Sequence, residues 1–485
     1  MTWRRAALAL VLALFALVLL RATTLELDPY DAYELRSSAR AITGDHLAPF
    51  AVYRSPLLVL LETPFEALAR GSRLTWVFPH ILSAFAYLAL ALGTSRLAKA
   101  AGAKETTALA AGVALALDRL AFADAPLGLP DGLGAALATW GLAFALEERL
   151  LLGAALLGLA AATRPNDGLA CLGLLVFAVP EKKLAPRAVV AATLAVIVFI
   201  AISATFFALG GKGALKGFSE LARFQHEQLR ENYEKYGHDH PRFLVALRSI
   251  FFMEPGTALL APLALAFART RRALALVVAA LSQVIFLTTL AGHVEARYLL
   301  PALPSIAALV AVFIDRFEWP RLALATWLLL PLLGVPYELA RARDPVFERN
   351  ASLEVARAVA AVSTSGGVFY TPDLQFPVYP RVLGRERTPF SGDPFHGIHH
   401  LGPVTILYHL GRPIGILPPR DERGVPIRAR DWLERHAADP GFGGDDVVIV
   451  GTSERLSWDI PEEPPDLLIY RVKPRLALVG KLTFR

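Results

Sequence analysis

The chain opens with Ala6-Ala7-Leu8-Ala9-Leu10-Val11-Leu12-Ala13-Leu14-Phe15-Ala16-Leu17-Val18-Leu19-Leu20-Arg21, and a polar stretch follows within a few residues: Leu27-Asp28-Pro29-Tyr30-Asp31-Ala32-Tyr33-Glu34-Leu35. An apolar run close to 20 residues long is the signature of a helix that crosses a bilayer. Arg4 and Arg5 precede it, as in a signal peptide. No small-residue cleavage site follows and further runs come later, so we read an uncleaved first span.

Working outward, similar runs stand at about 75–93, 106–122, 132–146, 149–163, 168–180, 188–209, 250–267, 273–291, 299–314 and 322–337. With 6–21 they predict about eleven spans. The composition agrees: of 485 residues 55% are hydrophobic and 19% charged, against roughly a quarter charged in soluble domains. The fold class expected is an α-helical polytopic membrane protein. The net charge of +6 reads as loop bias, because no Lys/Arg cluster with interleaved aromatics marks a nucleic-acid surface. The lone cysteine, Cys171, excludes an intrachain disulfide and a cysteine-based metal site.

Basic residues fall in alternate connections: Arg4 and Arg5; Arg96, Lys99 and Lys104; Arg149; Lys182, Lys183 and Arg187; Arg269, Arg271 and Arg272; Arg316 and Arg321. The positive-inside rule makes that side cytoplasmic. The expectation is a multi-pass protein of the cell (inner) membrane with its N-terminus cytoplasmic. The loops 22–74, 123–131, 164–167, 210–249 and 292–298 then lie outside, with everything after about 338. Loops as long as 22–74 and 210–249 are usually functional or structured. In the first, Ala32 to Ile42 reads as a helix, and residues 56–70 as an amphipathic segment on the membrane surface.

The transmembrane domain is read as residues 1–337. Residues 340–485 are more polar, with short β-type runs at 368–370, 404–408, 447–450 and 467–470, and helical stretches at 352–362 and 430–437. They predict an extracytoplasmic α/β domain.

Charged groups against a bilayer are costly and mark function. Asp31, with Glu34 behind it and Asp28 as a rival, is a candidate general base, since a low-dielectric surface raises a carboxylate's pKa. Either aspartate also suits an N-cap of the following helix. Arg297, in His293-Val294-Glu295-Ala296-Arg297-Tyr298-Leu299-Leu300-Pro301, offers a planar donor fork to a phosphate. Arg164, in Thr163-Arg164-Pro165-Asn166-Asp167-Gly168, can do the same or simply belong to a turn. Asp124 and Asp131 share the loop 123–131, where helix capping competes with a role near a donor. The histidines at 226, 238, 240, 396, 399 and 400 lack zinc-motif spacing.

The pattern Asp31, Ala39-Arg40 and Gly44 resembles the first-loop motif of the GT-C glycosyltransferases, the superfamily of protein O-mannosyltransferases, aminoarabinose transferases and lipid-linked mannosyltransferases. The Glu that usually follows the Asp is Ala32 here. Tyr53-Arg54-Ser55-Pro56-Leu57 resembles the family's Lys-Pro-Pro-Leu segment. His293 to Pro301 resembles its His-Lys-Glu-x-Arg-Phe and Arg-Tyr-Leu-x-Pro motifs. The resemblance covers about residues 1–337. It implies a polyprenyl-phosphate sugar as donor and a lipid-linked glycan or protein hydroxyl as acceptor. It also implies Asp31 as base and Arg297 on the phosphate, helped by His293, Glu295, Tyr298, Arg164, Arg40 and Asp131. One base and direct attack imply inversion. No cofactor is expected, and a divalent metal is left open. A transporter or lipid flippase would carry its polar residues mid-span, whereas these stand at span ends. A non-catalytic scaffold would tolerate loss of both Asp31 and Arg297.

Overall fold

The computed structural model describes residues 3–24, 30–70, 72–236, 242–289, 296–317, 320–342, 351–370, 376–378, 399–401, 408–412, 414–416, 433–434, 442–451 and 466–482. The chain forms two compact units. One is built on Met1–Thr24 and Val52–Ala342, the other on Leu25–Ala51, Arg343–Glu386 and Phe395–Arg485.

The first unit is helical. It begins with α1 (Trp3–Thr24); α2 (Tyr30–Ile42) belongs to the other unit. Then come α3 (Pro56–Ala69), α4 (Arg73–Ala101), α5 (Glu105–Leu117), α6 (Arg119–Asp124), α7 (Pro130–Leu146) and α8 (Leu150–Thr163). A 3-10 turn at Pro165–Ala170 leads into α9 (Cys171–Ala178), followed by α10 (Ala185–Leu209), α11 (Ala214–Tyr236), α12 (Arg242–Met253), α13 (Pro255–Ala266) and α14 (Arg271–Thr289). A second 3-10 turn, Ala296–Leu299, precedes α15 (Leu303–Ile314) and α16 (Pro320–Ala342). The hydrophobic runs read from the sequence are helical, but not always one helix each: the run at 106–122 is divided between α5 and α6, that at 250–267 between α12 and α13, and that at 168–180 between the first 3-10 turn and α9. Among the described residues α1, α4, α10 and α14 are long and apolar enough to cross a membrane, and six further apolar helices are shorter.

Small residues let these helices approach closely, as packing between lipid-immersed helices requires. On α5, Ala110, Ala111, Ala114 and Ala116 are wholly buried against α1, α4, α15 and α16. Gly141 of α7 meets Gly153 of α8 backbone to backbone: a Cβ at Gly141 would stand 2.9 Å from the Gly153 carbonyl, and one at Gly153 2.6 Å from that of Gly141.

The connections read as one side of the membrane are tied to one another. Arg96 Nε and Nη2 donate to Glu147 Oε1 and Oε2 at 2.8 and 2.7 Å. Arg271 Nη1 donates to Glu181 Oε2 at 2.6 Å. Asp315 Oδ2 accepts from the Lys104 amide (2.5 Å) and the Thr107 hydroxyl (2.9 Å). Arg316 reaches the Phe267 carbonyl at 3.0 Å, and Arg4 lies 3.5 Å from Glu105. Exposed pairs contribute little stability; their value here is topological, since they gather five connections and the N-terminus at one end of the unit.

The segment read as lying on the membrane surface is α3, capped by Ser55 Oγ on the Leu58 amide at 3.3 Å. It packs against α4, α8 and α10 and buries Glu62 and Glu66, while Leu68 is 88% exposed. The long connection 210–249 holds two helices. In α11, Phe218 packs edge-on against Phe207 of α10 at 5.1 Å, and Phe224 stacks on Tyr53 at 4.0 Å.

The second unit is α/β. Its five-stranded sheet has the order β4-β1-β5-β6-β7, from β1 (Val368–Tyr370), β4 (Ile414–Ile416), β5 (Val447–Gly451), β6 (Leu467–Arg471) and β7 (Ala477–Leu482). The β4-β1-β5 pairings are parallel, and β5-β6-β7 antiparallel. A separate antiparallel pair joins β2 (Phe376–Val378) to β3 (His399–Leu401). Val355 and Val359 of α17 (Ala351–Val362) bury against Val368, Val447, Ile449, Leu467 and Ile469. Of the β-type runs read from the sequence, 368–370, 447–450 and 467–470 are strands. The run at 404–408 and the helix at 430–437 lie mostly outside the described residues.

Candidate functional site

In the helical unit a polar cluster forms where α7, α8, α14 and the two 3-10 turns meet. The sequence builds it locally. Pro165 drives the residue before it out of helical backbone, so α8 stops and Arg164 turns extended at φ −147°, ψ 125°. Pro130 starts α7 and sets Asp131 in its first turn, where the helix dipole favours an anion. Arg164 Nη1 is bonded to Asp131 Oδ1, the carboxylate side chain being 3% exposed and the arginine 16%. The same guanidinium lies over the Tyr298 ring, 4.1 Å from its centre, a cation–π contact. Arg297, next in the chain, stands 5.4 Å from that ring. Two arginines, a tyrosine and one buried carboxylate thus share one locus, the kind of donor set that suits a phosphate.

Behind this pair is a layer the sequence reading did not assign. Gln283 of α14, 1% exposed, donates from Nε2 to the Asn166 carbonyl at 2.6 Å. Asn166 Nδ2 donates to Asp167 Oδ1 at 3.0 Å and Gln283 Oε1 at 3.4 Å. Asp167 is wholly buried, its amide bonds the Arg164 carbonyl at 2.9 Å, and its Oδ2 has no hydrogen-bond partner among the described residues. Gly134, one turn beyond Asp131, leaves the room: a Cβ there would collide with Asp167 Oδ2. A lone glutamine inside an apolar run was the available signal for this layer.

In the α/β unit the candidate base stands on α2. Asp31 lies in the first turn of that helix, half-buried, and Glu34 is 7% exposed one turn on. Arg40 is engaged within its own unit: Nη1 donates to the Tyr408 carbonyl at 2.5 Å and Cζ sits 3.6 Å from the centre of the Tyr408 ring. Asp28, His293 and Glu295 lie outside the described residues. Among the described residues no group of three or more His, Cys, Asp or Glu side chains could hold a metal ion.

Neither a protein-family model nor a curated protein sequence matches the chain. Solved structures share its fold. ArnT from Cupriavidus metallidurans, determined bound to undecaprenyl phosphate, superposes with a TM-score of 0.58 at 16% identity, covering 93% of each chain. The Archaeoglobus fulgidus oligosaccharyltransferase matches with a TM-score of 0.52 at 11% identity over 90% of this chain and 68% of that one. The arabinofuranosyltransferase AftD from Mycobacteria matches with a TM-score of 0.50 at 17% identity over 94% of this chain and 36% of its own. The chain shares the fold of these structures.

Proposed function

We propose that the protein is an integral membrane glycosyltransferase that moves a sugar from a polyprenyl-phosphate donor to a hydroxyl acceptor on the outer face, with inversion. The observation that carries this reading is the locus of Arg164, Arg297 and Tyr298 in a chain of this fold. Arg297 and Arg164 take the phosphate as its charge develops, a role in which preorganised donors are most effective. Asp131 fixes the Arg164 fork, and Tyr298 supports it from beneath. His293 and Glu295, close to Arg297 in sequence, orient the sugar. Asp31, with Asp28 and Glu34 nearby in sequence, accepts the acceptor's hydroxyl proton. The acceptor oxygen bonds the anomeric carbon as that carbon's bond to the phosphate oxygen breaks, and polyprenyl phosphate leaves.

The test uses purified protein in detergent and a panel of radiolabelled polyprenyl-phosphate sugars. Consumption of one sugar by the wild type, abolished in Asp31→Asn and Arg297→Ala, is the expected result. Well-folded protein that neither binds nor consumes any of them would move the reading to a transporter or a scaffold.

A further inference from the structure

The helix carrying Asp31 is gripped by a turn that lies more than 360 residues further along the chain. From Ala32 to Ala39 every residue of α2 is buried, including Arg36, Ser37 and Ser38. Such a helix is oriented by its neighbours on all sides, not by one apolar stripe. On one of its faces Tyr33 and Arg40 stand two turns apart, Tyr33 closing on Tyr408 and His409 and Arg40 on Tyr408. Tyr33 Oη and His409 Nε2 are hydrogen-bonded at 3.0 Å. The Tyr33 ring meets Tyr408 and His409 edge-on at 5.6 and 5.5 Å. Arg40 covers the Tyr408 ring and bonds its carbonyl. At about 100° per residue, Asp31 projects from the side of α2 away from Tyr33, so a grip on the Tyr33 face sets where the carboxylate points.

The turn is itself anchored in the α/β unit. Leu410 packs against the core beneath α17. Arg412 Nη1 donates to Ser363 Oγ at 3.2 Å, and Ser363 Oγ donates to the Asp445 carbonyl at 2.7 Å. Strand β4, at the edge of the sheet, follows directly. A continuous chain of contacts thus runs from the sheet through Tyr408 and His409 to α2.

We infer that Tyr408 and His409 are positioning residues, through which the C-terminal α/β unit holds α2 and aims the Asp31 carboxylate. The inference rests on the reading of Asp31 as the base. It predicts a loss in kcat and not in donor affinity, because neither residue belongs to the arginine cluster.

The experiment uses the full chain in detergent and two readouts. A nitroxide on Asp31→Cys, in a Cys171→Ser background, reports the mobility of the α2 N-terminus. Steady-state turnover of radiolabelled polyprenyl-phosphate sugar and binding of undecaprenyl phosphate report function, in chains that keep Asp31. His409→Ala and Tyr408→Ala should mobilise the label and lower kcat by about 10- to 100-fold, the scale of an ångström-sized misplacement, with undecaprenyl phosphate binding unchanged. Tyr33→Phe, which removes only the hydroxyl, should fall between. His409→Gln, still able to hydrogen-bond Tyr33 Oη, should restore turnover. A label that stays immobile in both alanine variants, or one that is mobilised with kcat intact, overturns the inference. Should the wild type turn over no donor, the glycosyltransferase reading fails separately, and the label alone decides whether the turn holds the helix.

Discussion

Arg164 has its charge matched on two sides, by the Asp131 carboxylate and by the face of Tyr298. Removing one partner of a buried ion pair leaves the other charged and unsatisfied, which costs up to about 3–5 kcal/mol. The partial exposure of Arg164 lowers that figure. Arg164→Gln and Asp131→Asn should therefore each destabilise the protein, and the double variant should be less destabilised than the sum of the two. Thermal unfolding of all four proteins in one detergent measures the coupling; additive losses would show that the pair contributes nothing as a pair. Gly134 tests the layer behind it. A methyl group there collides with Asp167 Oδ2, and overpacking of this kind costs about 1–3 kcal/mol. Gly134→Ala should lower the unfolding midpoint and weaken undecaprenyl phosphate binding together, whereas a loss of stability with binding untouched would detach Asp167 from the arginine cluster.

Among the elements, the hydrophobic runs were legible because a long apolar window is a strong local signal, and all of them are helical; the breaks inside 106–122 and 250–267 were not, because the apolar run resumes within a few residues of each. The helix read at Ala32–Ile42 is α2, announced by its aspartate and closed by Gly44 at φ +89°. What the sequence did not disclose was α11, a 23-residue amphipathic helix whose charged face resembles a solvated loop; the segment read at 56–70 is α3, but that Glu62 and Glu66 turn inward was not legible. Nor could local pattern assign α2 to the sheet, since the residues that hold it are distant in the chain. Loop chemistry at the start of β1 makes one more prediction. The Asp445 carboxylate accepts from the amides of Ser365 and Thr364, both at 3.0 Å, and of Gly366 at 3.3 Å. These bonds, Ser365 first, hold its pKa down to about 2, below the ordinary value near 3.9. A carboxylate depressed in the folded state adds stability that is complete above about pH 4 and disappears as pH falls through about 2. Acid unfolding of the α/β unit followed by circular dichroism should steepen between those values, and Asp445→Ala should flatten that part of the curve. An unchanged acid limb in the variant would remove Asp445 from the account.

On the scale of the whole molecule, the boundary between units does not follow the order of the chain. Residues 25–51 are inserted between two helices of the first unit, α1 and α3, yet belong with a sheet made entirely of residues after 367. Their burial depends on chain that is distant in sequence. The helical unit, by contrast, is closed by its own contacts: alanine faces on α5, glycine contacts between α7 and α8, and the ion pairs that join its connections. Ending the chain at Ala342 therefore removes every partner of Tyr33 and Arg40 named above and leaves the helical unit's own contacts untouched. Stability need not be uniform across a structure, and a segment without its partners opens first. The truncated protein should keep its helical circular dichroism per residue and a cooperative thermal transition. Limited proteolysis should cut it selectively within 25–51, at Arg36 or Arg40 for trypsin, where the full chain resists. If the truncated chain protects those arginines as well as the full one does, α2 is held by the helical unit alone, and the α/β unit has no part in aiming Asp31.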